Sequence, residues 1–380
     1  MRIGIDATFI SGEFDGGKDQ FLFNLLEGFE KNNKGKDFVI FCKSEVKEKI
    51  KEIIPSAEIF IVTPKQYIDW LFIRLKIIKK PIFDEIILRS FFYKNIKKKY
   101  KINILFFPKP MTGFLKIDTE TVVIPHDIQI LSHKERFSLK TRILHNIFYK
   151  LDFKLRDKII SISDFDKEEI LDKFPKLKNK VIKIYNPIKV NQNIEINQDK
   201  KPYIIAINLA YEHKNIITLL KAFNLIKDKI QHNLLLVGKI NLYGEFLKQY
   251  VIDNKLEERV IFTGYIEEKE LYFLLKNSSL YVNPSIFEGF GMTAVEAMIL
   301  EVPTLVAVNT AMPEVTKNLC FYYKNIYDEK ELADKILEIF SLNINKEKLR
   351  KISEVIFDEY NYIKISKEYY ELFAKLGEIK

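Results

Sequence analysis

Two glutamates, Glu288 and Glu296, stand on either side of a glycine-bearing run in "NPSIFEGFGMTAVEAMILEVPTL". Gly289 and Gly291 allow the backbone to turn sharply and to approach a ligand without interference from a Cβ atom. A helix that starts after such a turn offers unpaired amides and a dipole that favours an anion. The segment therefore predicts a diphosphate site at residues 291–294. Because carboxylates repel phosphate, we expect the two glutamates to accept hydrogen bonds from sugar hydroxyls.

Each glutamate also has an ordinary structural interpretation. The run Thr293-Ala294-Val295-Glu296 fits a capping box, in which Glu296 would only close the start of its own helix. Glu288 by itself fits a solvated loop residue. The spacing alone leaves these interpretations open.

The elements around this segment alternate between strand and helix. "LYVNPS" predicts a strand and "AVEAMIL" a helix, so "IFEGFGM" is the loop at the carboxyl end of a strand. The first half of the chain has the same alternation, and the runs that predict buried strands there are "RIGIDATFI", "DFVIFCK", "AEIFIVT", "INILFFP", "TVVIPHD" and "KIISIS". Strands that alternate with helices predict a parallel, doubly wound α/β sheet in each half.

The length of 380 residues favours two domains. We predict a first domain over residues 1–186, a polar linker over 187–201 and a second domain over 202–360. Residues 361–380 predict an amphipathic helix that packs back toward the first domain. Two such domains would form a cleft at the carboxyl ends of their strands, where ligands bind in doubly wound folds.

Residues 260–315 closely resemble the donor-binding half of family four of the retaining glycosyltransferases. The resemblance depends on "FTGYI", on Glu288 and Glu296 with seven residues between them, and on "VPTLVA" and "PEV", in this order. It covers the predicted second domain well and the first more loosely. It implies the GT-B fold, in which two Rossmann-like domains enclose an interdomain cleft. The first domain would bind the acceptor and the second a nucleotide sugar.

The resemblance also implies roles for individual residues. Glu288 would contact the donor sugar and Glu296 the ribose, while Tyr265 and Ile266 would hold the base. The amides near Gly291 would bind the diphosphate. The predicted donor-binding residues of the second domain are Asn208, His213, Lys214, Tyr265, Ile266, Glu288, Gly289, Phe290, Gly291, Met292, Thr293 and Glu296.

A lysine after the first strand of the second domain is another element of the family, found here in "NLAYEHKNIITLLKAF". Lys214 would be the phosphate-binding cation. Family members often add an arginine five or six positions earlier, where this chain has Asn208 and Leu209; His213 or a basic residue of the other domain is a candidate replacement. A second departure is Glu301, where the family commonly has a helix-ending glycine. A left-handed Glu301 would cost about 1 kcal/mol.

The first domain contributes two candidate elements. Gly16 and Gly17 stand where the family has a glycine loop near the diphosphate and the acceptor, although Gly-Gly is also an ordinary turn. His126 and Asp127 follow the predicted strand "TVVIPHD". A lone histidine is often structural, but a family histidine at this point lies near the reacting sugar. The predicted catalytic residues are His126, Lys214 and Glu288.

The implied reaction moves a hexose from a UDP- or GDP-linked donor to a glycan acceptor with retention of the anomeric configuration. Lys214 and the helix start near Thr293 would stabilise the leaving phosphate. We predict no metal and no cofactor. The alternatives are a noncatalytic nucleotide-sugar binder, an epimerase or phosphorylase of the same shape, and a nucleic-acid-binding protein, although no motif for nucleic acid is present.

The positive charge lies in the first half of the chain. Residues 1–200 have 38 Lys and Arg against 27 Asp and Glu, whereas residues 201–380 have 23 against 25. Residues 65–101 have 11 against 3, interleaved with aromatic and aliphatic residues. This composition fits an amphipathic surface on an anionic membrane and a lipid-linked acceptor, or a plain core helix with a solvated basic face.

The remaining composition predicts a cytoplasmic protein, with peripheral attachment to the inner face of the cell membrane as an open alternative. The two cysteines, Cys42 and Cys320, form neither a CxxC pair nor a Cys/His cluster, which argues against a disulfide framework and a structural zinc site. The start of the sequence lacks the apolar core of a signal peptide. No apolar run approaches the roughly 18 residues of a membrane span.

Overall fold

The computed structural model describes residues 1–10, 16–63, 92–94, 97–110, 113, 115–132, 137–195, 201–207 and 209–378. Asn208 and most of the basic segment 65–101 therefore lie outside the described residues. The chain divides into two compact units, Met1–Pro187 with Tyr360–Lys380, and Ile188–Glu359. Residues 188–195 of the predicted linker belong to the second unit.

The first unit contains a seven-stranded parallel sheet of order β3-β2-β1-β4-β5-β6-β7. Its strands are β1 Ile3–Asp6, β2 Phe38–Cys42, β3 Glu58–Ile61, β4 Ile104–Phe107, β5 Glu120–Val123, β6 Lys158–Ser161 and β7 Val181–Lys183. Its described helices are α1 Gly17–Lys31, α2 Lys47–Ile53, α3 Gln129–Ser132, α4 Leu139–Leu155, α5 Asp164–Lys173 and, from the end of the chain, α13 Tyr362–Glu378.

The second unit contains a six-stranded parallel sheet of order β10-β9-β8-β11-β12-β13. Its strands are β8 Tyr203–Ile207, β9 Asn233–Val237, β10 Val260–Gly264, β11 Leu280–Asn283, β12 Thr304–Ala307 and β13 Phe321–Tyr323. Its described helices are α6 Ile216–Ile226, α7 Leu242–Asp253, α8 Glu268–Lys276, α9 Met292–Ile299, α10 Met312–Val315, α11 Glu329–Ser341 and α12 Lys346–Tyr360.

The central strands of both sheets are buried because helices cover both faces. β1, β2, β4 and β11 are buried along their whole length, as their continuous apolar sequences predict. The prediction that "AEIFIVT" forms a buried strand is wrong in one respect. β3 is only partly buried because it is the edge of its sheet.

The strand order reverses once in each sheet, which fixes where a ligand site forms. In the first unit the reversal lies between β1 and β4, and in the second unit between β8 and β11. At such a switch point the loops leave in opposite directions and open a crevice at the carboxyl ends of the strands. The loops that follow these strands contain most of the candidate residues.

The last helix, α13, packs against α1 within the first unit. The Asn32 side chain, just after α1, donates hydrogen bonds to the carbonyl of Ile363 at 2.8 Å and to the Ser366 hydroxyl at 3.0 Å. A Cβ atom on Gly28 would lie 2.3 Å from Ser366 Oγ, so glycine is what lets the two helices approach.

Glu301 adopts the left-handed conformation that its position at the end of α9 predicts, with φ 61°. We expect Glu301→Gly to raise the free energy of unfolding by up to about 1 kcal/mol, because relief of left-handed strain exceeds the added chain entropy. Urea denaturation measures the change. Glu301→Ala is the control, since it removes the weak 3.9 Å ion pair with Lys276 but keeps the strain. An equal gain in both variants would contradict the backbone explanation.

Candidate active site

Lys214 and Glu288 meet at the switch point of the second sheet. Lys214 lies in the loop after β8 and Glu288 in the loop after β11, and these neighbouring strands are parallel. Lys214 Nζ lies 2.7 Å from Glu288 Oε1, and their side chains are only 16% and 12% exposed. The structure thus brings together two of the three predicted catalytic residues.

The Glu288 carboxylate is held by more than the lysine. Ser285 Oγ donates to Glu288 Oε1 at 2.8 Å, and Asn283 Nδ2 donates to the same oxygen at 3.2 Å. The Glu288 amide donates to Thr310 Oγ1 at 3.1 Å. The interpretation of Glu288 as a solvated loop residue is therefore wrong, because the side chain is only 12% exposed and hydrogen bonds fix its orientation.

The ionisation of Glu288 follows from these contacts. Burial alone would raise the pKa of the carboxyl group, but the Lys214 cation and the hydrogen bonds from Ser285 and Asn283 outweigh it and lower the pKa. The Glu288 carboxylate is therefore ionised near neutral pH while it contacts Lys214.

The two loops that carry this pair are tied to each other. The Ile286 amide donates to the His213 carbonyl at 2.7 Å, which joins the loop after β11 to the loop after β8. Asn309 Nδ2, in the loop after β12, also holds the loop of Glu288 by donating to the carbonyls of Ser285 and Ile286 at 2.7 and 2.8 Å. His213 contributes its backbone to the first of these contacts, while its ring lies 5.5 Å from the Tyr211 ring.

Gly291 turns the chain into α9. It is the N-cap residue, with φ 85° and no side-chain cap, and a Cβ atom there would lie 2.6 Å from Met312 Sδ. Gly289, in contrast, does not need a positive φ. Phe290, between them, is buried at 3% exposure.

The first turn of α9 only partly matches the predicted row of unpaired amides. The amides of Met292 and Thr293 lie in this turn, where a helix has no intrahelical acceptor for them. The Ala294 amide, however, donates to the Gly291 carbonyl at 3.0 Å, so its inclusion in the row was wrong. The Thr293 side chain lies close to Tyr281, a buried residue of β11.

Glu296 does not form the capping box that its spacing allowed. The helix already starts at Met292, and the Glu296 carboxylate instead accepts a hydrogen bond from the Tyr272 hydroxyl at 3.2 Å. Glu296 is only 6% exposed. Burial raises the pKa of the Glu296 carboxyl to about 7, against the lowering effect of the Tyr272 hydrogen bond. Tyr272 could not be singled out from the sequence, because α8 shows only an ordinary amphipathic pattern.

The raised pKa of Glu296 makes folding stability depend on pH. A carboxyl whose folded pKa exceeds its unfolded value near 4.5 stabilises the fold fully below that value. This stabilisation is lost as the pH rises toward about 7. Glutamine mimics the neutral acid. Over this pH range, the free energy of unfolding of Glu296→Gln should therefore fall by about 2–4 kcal/mol less than that of the wild type. Urea denaturation across this pH window tests it, and an unchanged slope in the variant would contradict it.

Tyr265 and Ile266 lie in the loop after β10, two strands away from β8. Tyr265 is 58% exposed, and Lys239 Nζ lies 5.7 Å from the centre of its ring. Gly264, just before them, turns the chain with φ 73°. Tyr265 therefore presents an accessible ring at the carboxyl end of β10.

Gly16 and Gly17 form the start of α1 in the first unit. Gly16 is the N-cap with φ 96°, and a Cβ atom there would meet no atom of the described residues within 4 Å. Gly17 is the first residue of the helix. The conformation, rather than crowding, is what calls for glycine at position 16.

His126 is buried after β5, at 6% exposure and with φ 63°. Its Nε2 donates to the Pro108 carbonyl at 2.8 Å, because a carbonyl can only accept. Burial, with the nearby cations Lys18 and Lys109, lowers the pKa of His126 to about 3. The ring is therefore neutral with its proton on Nε2, and Nδ1 can act only as an acceptor.

In the part of the chain that the structure describes, no group of three or more His, Cys, Asp or Glu side chains could hold a metal ion. No helix in the same residues is long and apolar enough to span a bilayer.

The fold is similar to that of solved glycosyltransferases. A sucrose-phosphate synthase from Thermosynechococcus elongatus matches with a TM-score of 0.78 at 16% identity, and all of both chains is covered. Anabaena Alr3699/HepE in complex with UDP and glucose matches with a TM-score of 0.75 at 17% identity, covering 98% of this chain and 99% of that one. The two Rossmann-like units and these neighbours define a protein of the GT-B fold, as the sequence predicted.

Sequence comparison then identifies the family. The family model described as "Glycosyl transferases group 1" matches residues 188–355. The uncharacterized glycosyltransferase MJ1178 of Methanocaldococcus jannaschii is 30% identical over 266 residues, which cover 68% of this chain and 70% of that protein. The O-antigen chain mannosyltransferase RfbU of Salmonella typhimurium is 28% identical over 59% of this chain and 61% of its own length. The chain belongs to the group 1 glycosyl transferases.

Proposed function

We propose that the chain is a retaining, metal-independent glycosyltransferase that moves a hexose from a UDP- or GDP-linked donor to a glycan acceptor. The observation that supports this most directly is the buried Lys214–Glu288 pair at the switch point, in a loop that leads through Gly291 into α9. Neighbouring loops thus hold a cation, a carboxylate of fixed orientation and a helix N-terminus. The cation and the helix N-terminus can bind a diphosphate, and the carboxylate can accept hydrogen bonds from the sugar.

The acceptor we propose is a lipid-linked glycan, in the synthesis of a surface polysaccharide or glycolipid at the cytoplasmic face of the membrane. Its support is the name of RfbU, an O-antigen chain mannosyltransferase, together with the basic first half of the chain. We assign acceptor binding to the first unit and donor binding to the second. Because relatives named mannosyltransferases recur, mannose is the first sugar to test.

In the proposed reaction the acceptor oxygen bonds to the anomeric carbon as the bond from that carbon to the diphosphate breaks. The acceptor proton passes to the leaving phosphate oxygen, so no protein base is needed. Lys214 and the first turn of α9 stabilise the charge that develops on the diphosphate. Glu288 accepts a hydrogen bond from a hydroxyl of the transferred sugar, and Glu296 from the ribose.

The neutral state of His126 fits this scheme. A histidine whose pKa is about 3 neither donates a proton from Nδ1 nor removes one efficiently at neutral pH. Its Nδ1 can still accept a hydrogen bond from a sugar hydroxyl. We therefore assign His126 to the positioning of a sugar hydroxyl.

The experiment is donor binding and turnover with UDP-glucose, GDP-mannose and dTDP-glucose, measured with and without EDTA. We expect one donor to bind, turnover that survives EDTA, and NMR of the product to show the donor's anomeric configuration. Glu296→Ala should weaken nucleotide binding, and Lys214→Ala should slow transfer. Binding without turnover on any glycan acceptor would indicate a noncatalytic binder, and an inverted product would exclude retention.

A further inference from the structure

The helix α4 of the first unit has an apolar surface on its outer side. Leu139, Ile143, Ile147 and Leu151 are 65%, 53%, 51% and 40% exposed, and they repeat every four residues. Residues four apart share one face of a helix, so these side chains form one stripe along α4. Single exposed aliphatics are common on protein surfaces, but an aligned row is not.

The opposite side of the same helix already holds α4 in the fold. Its buried residues, Phe148, Tyr149, Asp152 and Phe153, pack toward the sheet. Ser138 caps the helix by accepting a hydrogen bond from the Thr141 amide at 3.2 Å. Since the inner face anchors α4, the outer stripe is not needed for folding, and a helix with two apolar sides calls for a second apolar environment.

The charges on α4 show what kind of environment this is. Lys140, Lys150 and Lys154 are exposed on the same outer side as the stripe. The one acidic residue of α4, Asp152, points inward at 2% exposure, where it pairs with Arg156 at 3.3 Å. The outer side therefore combines aliphatic and cationic groups without a carboxylate. Lysine stems can lie along an apolar surface while their ammonium groups reach outward to anions.

We propose that the α4 face, made of these four aliphatic residues and three lysines, docks on an anionic phospholipid bilayer. The helix would lie in the plane of the interface, with the aliphatics among the acyl chains and the lysines against lipid phosphates. A protein partner would need a groove that is both acidic and apolar. An anionic bilayer offers phosphates and acyl chains along the whole of α4, which is about 25 Å long. The link between this docking and a lipid-linked acceptor rests on the proposed function. The docking itself does not depend on the proposed function.

The test is co-sedimentation of the full chain with vesicles of phosphatidylcholine alone and of phosphatidylcholine mixed equally with phosphatidylglycerol. We expect binding to the mixed vesicles only, weakened by salt. Ile143→Ser/Ile147→Ser should reduce the affinity at least about tenfold through lost apolar burial. Replacement of Lys140, Lys150 and Lys154 by Gln should reduce it roughly hundredfold, at about fivefold for each lysine.

The matched control replaces aliphatics of equal exposure on helices of the second unit. Ile252 on α7 and Val355 on α12 are each 53% exposed, and Ile252→Ser/Val355→Ser should leave vesicle binding unchanged. Circular dichroism confirms that each variant is folded. Donor binding, measured without vesicles, should be the same in all of them, so a failed docking experiment is distinct from a failed proposed function.

Three outcomes would overturn the proposal. The first is equal binding to vesicles with and without anionic lipid. The second is a loss of binding in the control variant as large as that in Ile143→Ser/Ile147→Ser. The third is a dimer in sedimentation velocity that the α4 variant abolishes while vesicle binding persists, because the α4 face would then be covered by a second copy of the chain.

Discussion

Gly291→Ala is expected to lower the free energy of unfolding by about 2–5 kcal/mol and to weaken nucleotide binding more than tenfold. Two costs add at this position. A residue with a Cβ atom at φ 85° pays about 1–2 kcal/mol for the left-handed conformation. The new Cβ atom would also lie 2.6 Å from Met312 Sδ, and overpacking of this kind costs about 1–3 kcal/mol. Relief of both costs shifts the first turn of α9, where the diphosphate is proposed to bind.

Gly264→Ala is the matched control for this prediction. Gly264 also has a positive φ, 73°, but in the described part of the chain no atom lies within 4 Å of a Cβ atom placed there, so alanine adds only the backbone cost. A double-mutant cycle with Met312→Ala measures the clash, because Gly291→Ala should cost less in that background. Urea denaturation and calorimetric titration with UDP and GDP give the two readouts. Equal stability losses at positions 264 and 291, with unchanged binding, would contradict the assignment of the α9 start.

The sequence was sufficient to predict the architecture because the central strands are continuous apolar runs. β1, β2, β4 and β5 coincide with four of the predicted strands, and α1 lies between the first two. The strands missed are β7 and β13, which have three residues each and lie at the edges of their sheets. A strand this short has no periodicity, and only its pairing with a neighbour defines it.

The candidate site was predictable only where residues are close in sequence. The spacing of Glu288 and Glu296 around Gly291 pointed to one loop and one helix start. The groups that support them come from other elements, as Tyr272 on α8 does for Glu296. No local pattern reports such a contact, because it depends on how two helices pack after folding.

Asn215 is a second residue whose contacts could not be predicted from the local sequence. The sequence indicated a role for Lys214 and none for Asn215, the residue that follows it. In the structure Asn215 is 3% exposed with φ 53°, and its Nδ2 donates to the carbonyls of Pro284 and Ile326 at 3.2 and 2.7 Å. Asn215 therefore connects the loop of Lys214 to the loop of Glu288. The residue that follows Lys214 in the sequence thus helps to hold the Lys214–Glu288 pair in place.

Lys214→Met is expected to reduce the turnover number by about 10²–10³ and to destabilise the fold by about 3 kcal/mol. The loss of turnover follows because the developing charge on the leaving diphosphate loses its cation. The loss of stability follows because Glu288, 12% exposed, keeps a buried negative charge whose partner lay 2.7 Å away. Only the hydrogen bonds from Ser285 and Asn283 would still stabilise it.

The variant Lys214→Met/Glu288→Gln separates these two effects. With no buried charge to leave unpaired, it should recover most of the lost stability, whereas turnover should stay low because the cation is still absent. The pH dependence gives a second check. The folded pKa of Glu288 is depressed, so the ion pair stabilises the wild-type fold above the unfolded pKa near 4.5, and the effect fades as the pH falls through the folded pKa. The stability gap between Lys214→Met and wild type should therefore narrow in acid, and a gap independent of pH would mean that the pair contributes by packing rather than by charge.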